Sequence, residues 1–186
     1  MKAKDLLKVF DEHDRESHVW LYTPTMFRIL FPDETDSSLK MSLRRHVKSG
    51  LLKKVKKGLY ANERARCAPT DKLPALVPHL KPGEINYVSK HNRLSELGVI
   101  SQMPLNSLAV MTSGTSQTFK TCYGTVTFTH TQRPIGFILD HTELDQETGL
   151  LVADRELALR DGLRSGDKAL KELINEQLQK DNGGGR

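Results

Sequence analysis

Leu6, Leu7 and Phe10 recur at helical spacing in a charged stretch, which predicts an amphipathic helix from Ala3 to His13 with those three residues inward. A second helix is expected from Thr25 to Phe31, opened by Thr23 as cap and Pro24 in the first turn, limited by Pro32, and turned inward through Met26, Ile29 and Leu30. Between them Val19-Trp20-Leu21-Tyr22 holds the one tryptophan, expected in the core. The clearest repeat follows: Leu39, Leu43 and Val47 come every four residues and make one apolar stripe on a helix over Asp36 to Gly50. Asp36 or Ser37 can cap its start, Lys48 suits the negative end of its dipole, and Gly50 supplies the left-handed residue that stops it. Leu51 to Ala61 then reads as two short strands about a turn at Lys56-Lys57-Gly58.

The pattern changes after Arg66. Pro69, Pro74, Pro78 and Pro82 interrupt a run that also carries Leu73, Leu76, Val77 and Leu80, so residues 67–82 are expected to be a docked linker with one short helix. Beyond it, strands are predicted at Ile85 to Val88, Leu108 to Thr112, Thr118 to Cys122, Thr125 to Thr131 and Ile135 to Asp140. A helix through His91, Leu94 and Leu97 ends at Gly98. Two more span Asp154 to Arg164, with Leu157, Ala158 and Leu163 inward, and Asp167 to Gln179, with Leu170, Leu173, Ile174 and Leu178. In the strand at 125–131, Val126 and Phe128 alternate with threonines, so an apolar face is expected opposite a solvated threonine face. The chain is thus read as α+β: domain 1–66, linker 67–82, a mixed α/β domain 83–180, and a disordered tail 181–186 with three glycines.

Charge sharpens the picture at one place. The net charge is +5, but residues 1–66 hold fifteen Lys or Arg against nine Asp or Glu, while the rest of the chain is close to neutral. Between Lys40 and Lys57 there are eight Lys or Arg and no carboxylate. A turn of about 100° per residue puts Ser37, Ser38, Lys40, Met41, Arg44, Arg45 and Lys48 off the buried stripe of the third helix. Lys53, Lys54, Lys56 and Lys57 come from the hairpin. Three helices followed by a basic hairpin are the order of a winged helix-turn-helix, which sets its third helix in the major groove and its wing on the flanking backbone. These eleven residues are therefore the candidate DNA-binding set, with double-stranded DNA carrying repeated half-sites as partner and self-association on paired sites.

Little else in the chain suggests chemistry. The seven histidines show no HxH or HxxxH spacing, and Cys67 and Cys122 offer neither a disulfide framework nor a metal set. Ser113-Gly114-Thr115-Ser116 lacks the GxxxxGK[ST] pattern, and no Ser has nucleophile-elbow glycines. His130 with Asp140 or His141 is the nearest approach to an acid-base group. No catalytic residue, cofactor or metal is expected, and with no apolar run of about 18 residues and no signal-peptide core, a cytoplasmic protein without membrane contact is.

Arg44 to Ala61, Tyr87-Val88-Ser89, the segment Leu94 to Pro104, Leu108 to Gly114, Tyr123 to His130 and Val152 to Asp161 together resemble the AbiEi family of bacterial antitoxins, in the same order over most of the chain. That resemblance implies an N-terminal winged helix-turn-helix that represses its own operon. It also implies a C-terminal antitoxin domain that counteracts a co-encoded nucleotidyltransferase-like toxin, as in abortive-infection and type IV toxin-antitoxin systems. Carry-over by position covers the third helix and the hairpin. The alternative is a plain winged-helix transcriptional regulator whose C-terminal domain senses a ligand or dimerises.

Overall fold

The computed structural model describes residues 1–101, 106–146 and 148–183. Its fold is mixed α+β, with eight helices and two sheets among the described residues, divided into two compact units, Met1–Lys72 and Leu73–Arg186. No helix among those residues is long and apolar enough to cross a membrane.

In the first unit, Leu6 and Phe10 are buried on α1 (Ala3–Glu16), which runs past the expected end at His13, and Leu7 is half-buried. A two-residue strand not foreseen from the sequence, β1 (Leu21–Tyr22), leads to α2 (Pro24–Leu30), where Thr23 Oγ1 accepts from Met26 N at 3.3 Å as the capping pattern implied. One inward residue changes: Phe27 is fully buried and Ile29 is 75% exposed. Two residues along a helix is about 200°, so Ile29 cannot share the face that Phe27 takes with Met26 and Leu30. Thr35, not Asp36 or Ser37, caps α3 (Asp36–Lys48), accepting from Ser38 N at 3.2 Å. Asp36 is left free to pair with Arg28 Nε at 2.7 Å. Gly50 follows with φ +75°, a backbone state that suits glycine.

The hairpin forms as β2 (Lys53–Lys56) and β3 (Leu59–Ala61), turning through Gly58 at φ +80°. β1 adds to β3 with Leu21 opposite Ala61, giving the antiparallel order β1-β3-β2. Leu6, Phe10, Tyr22, Phe27, Leu39, Leu43 and Leu52 make the core, and Trp20 is buried as expected. The boundary between the two units, after Lys72, falls within the expected linker 67–82. Asp14 accepts from Arg66 N and Cys67 N, both at 3.0 Å, tying the chain after β3 back to α1. Those bonds hold the Asp14 carboxyl below the usual range, and burial, with Asp14 alongside, pushes the Cys67 thiol up to about 11. Leu73, Leu76, Val77 and Leu80 lie in the short helix α4 (Lys72–Leu80), almost all of it within the second unit, and are buried there.

The second unit continues with β4 (Asn86–Val88), α5 (Lys90–Glu96), β5 (Ser107–Thr112), β6 (Gln117–Thr121) and β7 (Gly124–His130). It closes with α6 (Ile135–Asp140), β8 (Thr142–Leu144), β9 (Leu151–Ala153), α7 (Arg155–Arg164) and α8 (Lys168–Gly183). The strands form one sheet, β6-β7-β5-β4-β9-β8, in which β5 with β7 and β4 with β9 are parallel and the other pairs antiparallel. Ile135 to Asp140 is helix, not strand. A short run with four apolar side chains in six residues does not distinguish the two, and here Pro134 precedes the first turn while Ile138 is fully buried. β8 and β9 are too short for a period to show. Residues 181–183 of the expected tail belong instead to α8, which continues to Gly183; residues 184–186 lie outside the described residues, as do Gln102 to Pro104 at the end of the segment Leu94 to Pro104.

Both sheet faces are covered. Val88, Val110 and Phe128 stand in register and are buried, as is Val126. On the other face Tyr87, Met111 and Ala153 join Leu94, Leu157, Ala158, Leu170 and Ile174 in one core, and the threonines at 125, 127 and 129 are half-buried instead of solvated. Helix α7 buries Asp161 and Gly162 and leaves Leu163 38% exposed, against expectation. Asp161 is held by three donors: Tyr87 Oη at 3.1 Å, Ser89 Oγ at 2.8 Å and the Arg133 guanidinium. Burial, then the Asp161 charge, pushes the Tyr87 phenol up to about 12. At the start of β7, Gly124 has φ +140° and a Cβ there would run into the Asn106 carbonyl, a backbone atom that cannot step aside. Gly124→Ala is expected to destabilise the second unit by about 1–3 kcal/mol in urea unfolding; an unchanged midpoint would contradict this.

Candidate nucleic-acid interface

The third helix and the hairpin enclose a groove of about 450 Å³ lined by Lys40, Arg44, Val47, Lys54, Lys57 and Tyr60. Its walls follow from two local periods. On α3 the buried side is Leu39, Ser42, Leu43 and His46, which leaves Lys40 and Arg44 next to half-buried Val47 on the flank toward the hairpin. On β2, buried Val55 forces its neighbour Lys54 to the outside, and a register shift between Lys54 and Lys56 bends the strand there. Lys57 occupies the exposed turn. Four cations, one aromatic ring and no carboxylate thus line one concave surface.

The remaining predicted residues divide by position. Ser37, Met41 and Lys48 are exposed on α3 beside Arg44, with Met41 68% exposed, so a continuous outward face runs the length of the helix. Ser38 and Arg45 lie on the opposite flank and are engaged locally. Ser38 Oγ donates to Glu34, and Arg45 Nη2 donates to the Met1 carbonyl at 2.9 Å and lies 3.3 Å from Ser42 Oγ. Lys53 pairs with Glu63 at 2.9 Å, and Lys56 is half-buried. Two residues outside the predicted set belong with the surface. Tyr60, packed against the core on one side, presents to the groove, and exposed Arg28 stands at the foot of α3 through its pair with Asp36.

No family model, curated protein or solved structure matches the chain. Its own geometry is what describes the surface.

Behind that surface sits a titratable group. His46 is buried on the inner face of α3, its Nε2 3.4 Å from the Met1 carbonyl, and burial, with Arg45 and the N-terminal amine nearby, lowers its pKa from the ordinary 6.5. The fold favours the neutral ring. Its stabilising contribution is therefore complete above pH 6.5 and is lost as the pH falls from there through the lower folded value. Trp20, the one tryptophan, reports on this unit. The urea midpoint of its emission is expected to fall between about pH 7 and pH 5, with a shallower fall in His46→Gln; equal slopes would contradict the assignment.

The histidine and carboxylate grouping considered from sequence does not assemble. His141 Nδ1 contacts Asp154 at 2.8 Å, and His130 Nδ1 contacts the Gly114 carbonyl at 2.7 Å. Among the described residues no group of three or more His, Cys, Asp or Glu is arranged to hold a metal ion.

Proposed function

We propose that residues 1–72 form a winged helix-turn-helix that binds double-stranded promoter DNA, with α3 in the major groove and the β2–β3 hairpin on the adjoining backbone. The observation that carries this reading is the convergence of Lys40, Arg44, Lys54 and Lys57 on one groove between recognition helix and wing. Phosphate contacts orient such a protein and base edges supply specificity. The exposed stripe of Ser37, Met41, Arg44 and Lys48 is suited to the second task, and the hairpin lysines to the first. A single unit of this size reads few base pairs, so tight binding calls for two copies on repeated half-sites.

The chain's role in the cell, on this reading, is that of an antitoxin which represses its own operon. The support is the AbiEi-like order of segments along the chain, with a second unit of separate core available for the antitoxin task. The test is growth of bacteria expressing the adjacent reading frame alone, with the full chain, or with the full chain carrying alanine at the four groove cations. The expected result is arrest by the neighbour, rescue by both forms of the chain, and repression of the promoter by the unaltered form only. A harmless neighbour, or arrest that the full chain never relieves, would leave a plain DNA-binding regulator.

A further inference from the structure

The second unit has a cavity of about 500 Å³ between the end of β7, the segment leading to α6, the start of α5 and the α7–α8 turn. Three cations line it, Lys90, Arg133 and Arg164, with one carboxylate, Asp161. That carboxylate is already used: Oδ2 accepts from Tyr87 and Ser89, and Oδ1 takes the Arg133 Nη1. Nη2 of the same guanidinium is buried and has no hydrogen-bond partner among the described residues. A buried charged donor left unpaired is costly and rare in folded proteins.

A structural ion pair needs only Arg133 and Asp161, and it leaves the other two cations unexplained. Lys90 is a non-glycine residue with φ +56°, a strained state, and it sends Nζ to Thr129 Oγ1 at 2.9 Å on the cavity wall. Burial lowers the Lys90 pKa, opposed by Asp161 and by Asp167. Asp167 does not line the cavity; it accepts from Leu170 N at 3.1 Å and faces His91 Nε2 at 3.4 Å. Arg164 is exposed at the cavity rim. After Asp161 is counted, two positive charges remain, matching a dianion, and a forked guanidinium beside an ammonium and a hydroxyl is suited to tetrahedral oxygens.

We propose that this cavity binds the phosphate group of a small ligand, held by Arg133 Nη2 and Lys90 with Arg164 closing over it. The volume exceeds that of inorganic phosphate and falls in the range of small-molecule sites, and Met111 and Pro134 line the remainder. The proposal is independent of the DNA-binding reading.

The experiment is thermal unfolding and calorimetric titration of the full chain with inorganic phosphate and, separately, a nucleoside monophosphate, each against chloride at matched ionic strength. Alanine at Lys40, Arg44, Lys54 and Lys57 removes binding to the first unit's basic groove and is expected to leave the phosphate response intact. Arg164→Gln, at an exposed position, and Lys90→Gln are each expected to weaken it about tenfold. Tighter binding of the nucleotide would assign the remaining volume to an organic group; equal binding would make free phosphate the ligand. No response beyond chloride, or equal affinity in Arg164→Gln and Lys90→Gln, would overturn the proposal.

Discussion

Alanine at Lys40, Arg44, Lys54 and Lys57 together is expected to weaken duplex DNA binding on the order of 1000-fold, at about 1 kcal/mol per cation. All four side chains are exposed, so the substitutions should leave the core intact, which unchanged Trp20 emission would verify. Arg45 makes the informative contrast. It lies on the same helix and carries the same charge, yet it faces the Met1 carbonyl on the flank away from the groove. Arg45→Ala should change affinity by no more than about 0.5 kcal/mol, as an ordinary surface substitution does. Arg44→Ala should cost about 1–3 kcal/mol and relax specificity at one base position if its guanidinium reads a base. Equal effects at Arg44 and Arg45 in a competition titration would mean that charge density alone, and not the groove, attracts DNA.

Asp161→Ala is expected to destabilise the second unit by about 3–5 kcal/mol. Its side chain is 2% exposed and that of Arg133 13%, and burial opposes the Arg133 charge until the Asp161 hydrogen bond and charge outweigh it. Removing the carboxylate strands a guanidinium in the interior and takes the acceptor from Tyr87 and Ser89 at once. Replacing both charges, Asp161→Ala with Arg133→Met, should recover part of the loss, because the desolvated cation goes too. Urea unfolding followed by circular dichroism reads this, with Trp20 emission as an internal control from the first unit. A cost below about 1 kcal/mol would mean that the pair is open to water.

Sequence disclosed the parts of this molecule whose determinants are local. Leu39, Leu43 and Val47 at four-residue spacing, with Gly50 and Gly58 as punctuation, suffice to place α3 and the hairpin, because each is decided within one or two turns of chain. The cation groove was legible to the same extent: seven of the eleven predicted residues are on α3, and their separation into groove side and far side depends on how the hairpin packs. Ile29 and Phe27 could not be ranked without knowing which face α2 buries. β1 and β9 exist through pairing with distant strands, β8 through pairing with β9, and each has two or three residues, too few for a period. The Tyr87, Ser89, Arg133 and Asp161 cluster draws on residues up to 74 positions apart. One sign of it was visible, a carboxylate four residues after Leu157 on an apolar helix stripe, the spacing at which Asp161 is buried with Leu157 and Ala158.

The measurement closest to the central claim is the affinity of the full chain for a duplex taken from upstream of its own reading frame, against a shuffled duplex of equal length, from about 50 to 200 mM salt. The account predicts preference for the upstream duplex, a linear fall of log affinity with log salt, and a slope flattened by roughly 0.9 for each groove cation removed. Equal affinity for both duplexes, or a slope that the four alanines leave unchanged, would contradict it.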